Sequence, residues 1–180
     1  VSMGVQSLDE ALLDRLGRIH SREMVFKSFD ILRHAGFDNL NIDLMFAIPG
    51  QTMEIWRATL AEAIAVGSEH LSSYEVIYEE DTPLYAQLQA KEFDVDEDLA
   101  CDMYEELVEQ ATGTGFRQYE IANFARAEQS KAQSPKSNVA ETSACSATLD
   151  FGLWTLDIPS RACQHNVNYW RGGSFYGLGP

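Results

Sequence analysis

Residues 39–47, Asn-Leu-Asn-Ile-Asp-Leu-Met-Phe-Ala (NLNIDLMFA), are followed by Ile48, the turn pair Pro49-Gly50, and Gln51-Thr52. The run is short, almost wholly apolar, and interrupted by one acid, Asp43. A strand buried on both faces reads this way, because a parallel sheet covered by helices leaves few positions for water. Pro49-Gly50 supplies the turn out of it. Thr52 then caps a helix whose Met53, Trp56, Leu60 and Ile64 share one face, and Gly67 closes it ahead of a second strand-like run, Leu71 to Tyr78.

The same alternation continues outward. Upstream, Ser2 to Gln6 is a short strand, and Ser7 with Glu10 forms a capping box ahead of Leu8, Leu12, Leu13 and Leu16. Gly17 stops that helix, Ser21 caps the next, and Val25, Phe26, Phe29 and Leu32 stripe it as far as Gly36. Downstream, Leu99, Met103, Leu107 and Ala111 mark a helix ending at Gly113 to Gly115, and Phe116 to Phe124 reads as one more strand. Strands alternating with helices predict an α/β fold with a parallel sheet, either a barrel or a doubly wound sheet. No GxGxxG or GxxxxGK[ST] follows any strand, which removes the main signals for a dinucleotide or P-loop site. In a barrel the chemistry would gather near Gln6, Asp43 to Pro49, Tyr74 to Thr82, and Asn123 to Phe124, with one of Tyr74 and Glu75 facing the pocket.

The composition narrows the function classes. With 180 residues, 45% of them hydrophobic and 23% charged, the chain can bury a real core. A net charge of -15 argues against nucleic acid or anionic lipid as partner, since both demand clustered Lys and Arg. Small molecules or proteins are the expected partners. Cys101, Cys145 and Cys163 lie too far apart for a CxxC metal pair or a disulfide framework, which together with the absence of a secretory signal predicts a cytoplasmic protein. No apolar run reaches the roughly 20 residues of a membrane span. The chain opens in a strand at Val1 and stops at Pro180, so it is expected to be a piece of a longer protein. Residues 127–162, Ser- and Ala-rich and then aromatic, break the periodicity and read as an insertion forming a flexible loop.

Five segments carry a resemblance: SMGVQSLDEALLDRLGRIHS, AGFDNLNIDLMFAIPGQT, HLSSYEVIYEEDTPL, YEIANFAR and CQHNVNYWRGGSFYGLGP. In order and spacing they resemble the radical S-adenosylmethionine family in its branch of HemW haem chaperones and oxygen-independent coproporphyrinogen III oxidases (dehydrogenases). HNVNYW fits the HNxxYW motif of the HemW side. The resemblance implies a partial (β/α)6 TIM-like barrel, incomplete at both ends. Residues 1–126 would form its rear part, and residues 163–180 would open the C-terminal HemW region. It also implies a [4Fe-4S] cluster on a CxxxCxxC motif that reduces S-adenosylmethionine. That motif lies upstream of this chain, and no cysteine here has its spacing, so no metal ligand is assigned and the chain alone is expected to be inactive. The implied function is a chaperone that binds haem and passes it to acceptor proteins. The alternatives are an oxidoreductase that decarboxylates coproporphyrinogen III to protoporphyrinogen IX, and an inactive fragment.

By the same resemblance, Gln6, Arg18, Asp43 and Ile77 match positions that contact S-adenosylmethionine. An amide and a guanidinium suit its amino-acid end, a carboxylate suits ribose hydroxyls or the ammonium, and an apolar wall suits the adenosine. Arg18 also fits the plainer task of neutralising a helix C-terminus. Asp43 is harder to dismiss, because an acid inside an apolar strand is costly unless paired. His165, Tyr169 and Trp170 belong to HNxxYW, with an imidazole for haem iron and flat rings for the macrocycle, or else they pack a loop against the barrel. His20, His34 and His70 lie on or beside the predicted helices and are expected to be solvated. Ala47 stands where the family has Gly, which matters if that backbone needs positive φ.

Overall fold

The computed structural model describes residues 1–126 and 158–174. Strand β1 (Ser2–Gln6) leads into the short helix α1 (Glu10–Arg15) and then α2 (Arg22–His34). Strand β2 (Asn41–Phe46), helix α3 (Met53–Ala65) and strand β3 (His70–Glu75) follow. Helices α4 (Pro83–Gln89) and α5 (Glu97–Gly113) precede strands β4 (Phe116–Glu120) and β5 (Asn123–Arg126), and α6 (Gln164–Trp170) comes last. The strands form one open sheet in the order β1-β2-β3-β5-β4, parallel from β1 to β3. This is a partial, barrel-like α/β fold.

The capping chemistry largely follows the sequence. Ser21 and Thr52 accept the Met24 and Ile55 backbone N–H groups at the starts of α2 and α3. Helix α1 differs: Asp9, not Ser7, is its cap, with the carboxylate accepting from Leu12 N at 3.0 Å. Aspartate is as good a cap as serine and stands next to the first turn. Ser7, fully buried, accepts the Asp9 N–H instead. Helix α4 escaped the sequence reading because it buries no residue and so carries no apolar stripe.

The single strand expected over residues 116–124 is a hairpin. Strands β4 and β5 pair antiparallel with each other, and β5 pairs antiparallel with β3, so the parallel order ends there. No glycine or proline marks the turn. Glu120 makes it instead: its carboxylate accepts the Ala122 N–H at 3.1 Å and the Asn123 side-chain amide, closing the chain back on itself.

One face of the sheet carries Ile42, Leu44, Phe46, Leu71 and Phe124, packed against Val25, Phe29, Trp56, Leu60, Met103 and Leu107 of α2, α3 and α5. The striped positions foreseen for these helices meet there. Trp56 is fully buried, with its indole N–H on the Met103 carbonyl at 2.8 Å. The opposite face is polar. It carries Asn41, Asp43, His70, Ser72 and Asn123, in rows that the strand register sets side by side. The insertion foreseen at residues 127–162 falls mostly outside the described residues. Its last stretch packs apolar atoms, since Ile158 and Ala162 join Val167 of α6 against Ala125.

Ala47, directly after β2, has φ +56. The left-handed region costs a residue with a Cβ about 1–2 kcal/mol, and glycine returns about 0.5–1 kcal/mol of that in chain entropy. Ala47→Gly is therefore expected to leave stability within about 1 kcal/mol. Ala47→Val, β-branched at positive φ, is expected to lower it by about 2 kcal/mol. Urea unfolding of the two variants measures the difference, and equal midpoints for them would exclude backbone strain here.

Candidate functional site: the polar face of the sheet

An open cavity of about 380 Å³ lies on the polar face. Asn41, Asp43, His70, Ser72, Tyr74 and Asn123 line it from the strands, and Cys163, Gln164 and Asn166 from the segment that carries α6. Period-two alternation puts these strand residues on one face: Asn41 and Asp43 on β2, and His70, Ser72 and Tyr74 on β3. Register then pairs Ser2 with Asn41 and Asn41 with His70, while Gly4 pairs with Asp43 and Asp43 with Ser72.

Hydrogen bonds join these residues in one direction. Cys163 N–H donates to the Tyr119 hydroxyl at 3.1 Å, and that hydroxyl lies 2.6 Å from His70 Nε2. His70 Nδ1 lies 2.6 Å from the Asn41 side-chain oxygen, Oδ1. The Asn41 amide donates to Asp43 Oδ1 at 2.7 Å and to Ser2 Oγ at 2.8 Å, and Ser2 in turn donates to Asp43 Oδ2. Asn41 presents its NH2 to a carboxylate, so its oxygen faces His70 and can only accept. His70 then carries a proton on Nδ1; burial opposes a second proton on Nε2, so the ring is neutral and Nε2 accepts from the Tyr119 hydroxyl. The electrostatics agree. Burial pushes the His70 pKa down to about 4, against the opposing pull of the Asp43 charge. A side branch runs from Ser72, which donates to Asn123 Oδ1 at 2.7 Å. Burial raises the Tyr119 and Tyr74 phenols, so both stay protonated donors.

His70 corrects the sequence reading. It was expected to be solvated, but it opens β3, is 4% exposed and sits at the centre of the network. The signal was the alternation His70, Ser72, Tyr74, which marks an inward polar face once β3 is started one residue earlier.

The positions singled out in the sequence fall in three places. Asp43 lines the polar cavity, and between Tyr74 and Glu75 it is Tyr74 that joins it there. Gln6, at φ +65, folds back over Gly4: a Cβ built on Gly4 would lie 3.0 Å from Gln6 Nε2. Gly4 is the register partner of Asp43, so the Gln6 amide rests on the same face. Arg18 is exposed in a loop held at the carboxyl end of β1, where His20 Nε2 lies 3.0 Å from the Val5 carbonyl. Ile77, 76% exposed, lines a neighbouring apolar groove of about 800 Å³ with Phe46, Tyr104 and Ile121; Tyr74 borders both spaces. His165, Tyr169 and Trp170 lie on the outer side of α6, with Tyr169 and Trp170 more than half exposed and edge-to-face at 5.6 Å. They do not line the Asp43 cavity.

A cofactor can be tested against these groups. A carboxylate flanked by an amide, hydroxyls and a glycine that leaves room for Gln6 fits a ligand rich in hydroxyl and amino groups, as S-adenosylmethionine is. An iron-sulfur cluster does not fit: among the described residues no three His, Cys, Asp or Glu side chains come together to hold a metal. Cys101 is exposed, Cys163 is half-buried, and Cys145 lies outside the described residues. No described helix is long and apolar enough to cross a membrane.

Comparison with known proteins agrees with this picture. The family model of the radical SAM superfamily matches residues 1–63. Heme chaperone HemW of Bacillus subtilis is 29% identical over 99% of the chain, which spans 39% of that protein. The mitochondrial radical S-adenosyl methionine domain-containing protein 1 of Mus musculus is 33% identical over the whole chain, which spans 34% of it. Among solved structures, coproporphyrinogen III oxidase (HemN) from Escherichia coli superposes with a TM-score of 0.63 at 27% identity, covering 71% of this chain and 30% of that one. The chain thus spans about two-fifths or less of these relatives and is similar, in sequence and in fold, to the HemW- and HemN-like radical SAM proteins.

Proposed function

We propose that the protein is a haem chaperone of the HemW type, binding haem as cargo and handing it to acceptor proteins. One observation carries this reading. The HNVNYW segment forms most of α6, which buries Val167 and leaves His165, Tyr169 and Trp170 exposed. Large aromatic side chains kept out of a core suit a flat apolar ligand, and imidazole suits its iron. Arg171, exposed directly after the motif, is placed to meet a propionate.

The polar cavity belongs to the same proposal as a site for S-adenosylmethionine, which in this family supplies radical chemistry when it is bound with its cluster. Asp43 would accept from its ribose hydroxyls or ammonium, Gln6 and Arg18 would hold its amino-acid end, and Ile77 would cover the adenosine. A cytoplasmic setting, where Cys101 stays a free thiol, completes the reading.

The test is His165→Ala in the full-length protein. Haem affinity is expected to fall about tenfold or the Soret band to shift, while S-adenosylmethionine binding stays unchanged. An unaltered spectrum and affinity would leave α6 a packing helix. That result would favour the second reading, decarboxylation of coproporphyrinogen III, which rests on the superposition with HemN.

A further inference from the structure

We propose that His70, acting through Asn41, is a positioning residue that holds the Asp43 carboxylate ready to receive a ligand. This rests on the reading of Asp43 as a contact to S-adenosylmethionine.

Asn41 and His70 stand at the amino-terminal ends of β2 and β3, whereas Asp43 lies further along its strand. In barrels the ligand end is the carboxyl end, and groups at the opposite end serve support. Asn41 and His70 therefore lie on the amino-terminal side of Asp43, away from the carboxyl ends of the strands. An apolar filler would pack this layer at less risk, because a buried polar network destabilises whenever one member goes unsatisfied. Here every step is satisfied, from Cys163 N–H through Tyr119, His70 and Asn41 to Asp43. The amide of Asn41 has two rotamer faces, and only one presents NH2 to the acid. The Nδ1–H of His70, 2.6 Å from the oxygen, selects that face, with the Ser72 hydroxyl a longer contact at 3.2 Å. With the amide fixed, Asn41 occupies Oδ1 and Ser2 occupies Oδ2, so the carboxylate is pinned in rotation. Its remaining lone pairs are free to face the cavity. A ligand then meets an acid already oriented and loses less entropy in ordering it.

Three measurements on the full-length protein decide the matter. Nitrogen-15 spectra of the histidines at pH 7 are expected to show His70 neutral with its proton on Nδ1. A proton on Nε2 would overturn the proposal. Affinity for S-adenosylmethionine should fall about tenfold in His70→Leu, the scale of one lost orienting hydrogen bond. It should return to within about threefold of the original in His70→Asn, whose amide restores a donor where Nδ1 stood. Circular dichroism and thermal melting of both variants separate misfolding from misorientation. Asp43→Asn is the control for the underlying reading. If it weakens binding while His70→Leu and His70→Asn both bind like the original, the positioning role is wrong and the reading of Asp43 survives. If Asp43→Asn binds unchanged, that reading falls and takes the positioning role with it.

Discussion

Alanine in place of Trp56 is expected to unfold much of the population at ambient temperature. The side chain is fully buried where α3 crosses β2 and α5, with Phe46 at 5.8 Å between ring centres and its N–H bonded to Met103 O at 2.8 Å. Truncation removes the largest fully buried side chain among the described residues and leaves the Met103 carbonyl without that donor. Core Trp or Phe to Ala changes cost about 3–5 kcal/mol, and the lost hydrogen bond adds about 0.5–1.5 kcal/mol, since the Met103 carbonyl inside α5 keeps its helical backbone partner. Domains of this size are stable by about 5–15 kcal/mol, so the loss consumes much of the margin. Trp56→Phe keeps most of the volume and should lose about 1–2 kcal/mol, mainly for the hydrogen bond. Denaturant titration of both proteins measures the gap, and equal midpoints would show that α3 does not depend on this contact.

Acid is expected to weaken the fold through His70. In the folded chain its pKa is lowered to about 4, against 6.5 for an ordinary imidazole. Between those values the unfolded chain takes up a proton that the folded chain refuses, so stability falls as pH drops from 6.5 towards 4 and this contribution is constant above and below that window. The group loses about 3 kcal/mol across it. Carboxylates also titrate near the lower edge, so the measurement is a difference: stability against pH for the original and for His70→Asn. The original should lose more between pH 6.5 and 4.5, and parallel curves would mean that His70 ionises freely in the folded state.

The helix-facing half of this fold was open to reading because its period is unambiguous. Trp56 and Leu60 on α3, or Met103 and Leu107 on α5, recur at helical spacing, and each found the sheet. The polar half was not, for two physical reasons. Alternating Asn41 and Asp43, or His70 and Ser72, look the same whether the face meets water or another segment. What makes it an interior is α6, more than 30 residues beyond β5 in the chain. The hairpin at Ile121-Ala122 was hidden because Glu120, rather than a glycine, turns the chain. Asp43 alone announced itself, as an acid in an apolar strand, and the Ser2 and Asn41 bonds are the partners such an acid requires.

The fixed sense of the bonds from Cys163 N–H to Asp43 also bears on how this sequence can drift. Each member donates one way and accepts the other, so no single replacement can reverse its own polarity without setting donor against donor or acceptor against acceptor. Asn41→Asp would turn an oxygen towards Asp43, and Tyr119→Phe would strip His70 Nε2 and Cys163 N–H of a partner at once. Ser2, Asn41, His70 and Tyr119 lie far apart in the chain, yet apart from a swap that keeps the donor, as His70→Asn does, neutral change can reach them only in concert. Among diverging copies of this fold, the four positions should be inherited as a block, or exchanged together for apolar side chains that need no partner at all.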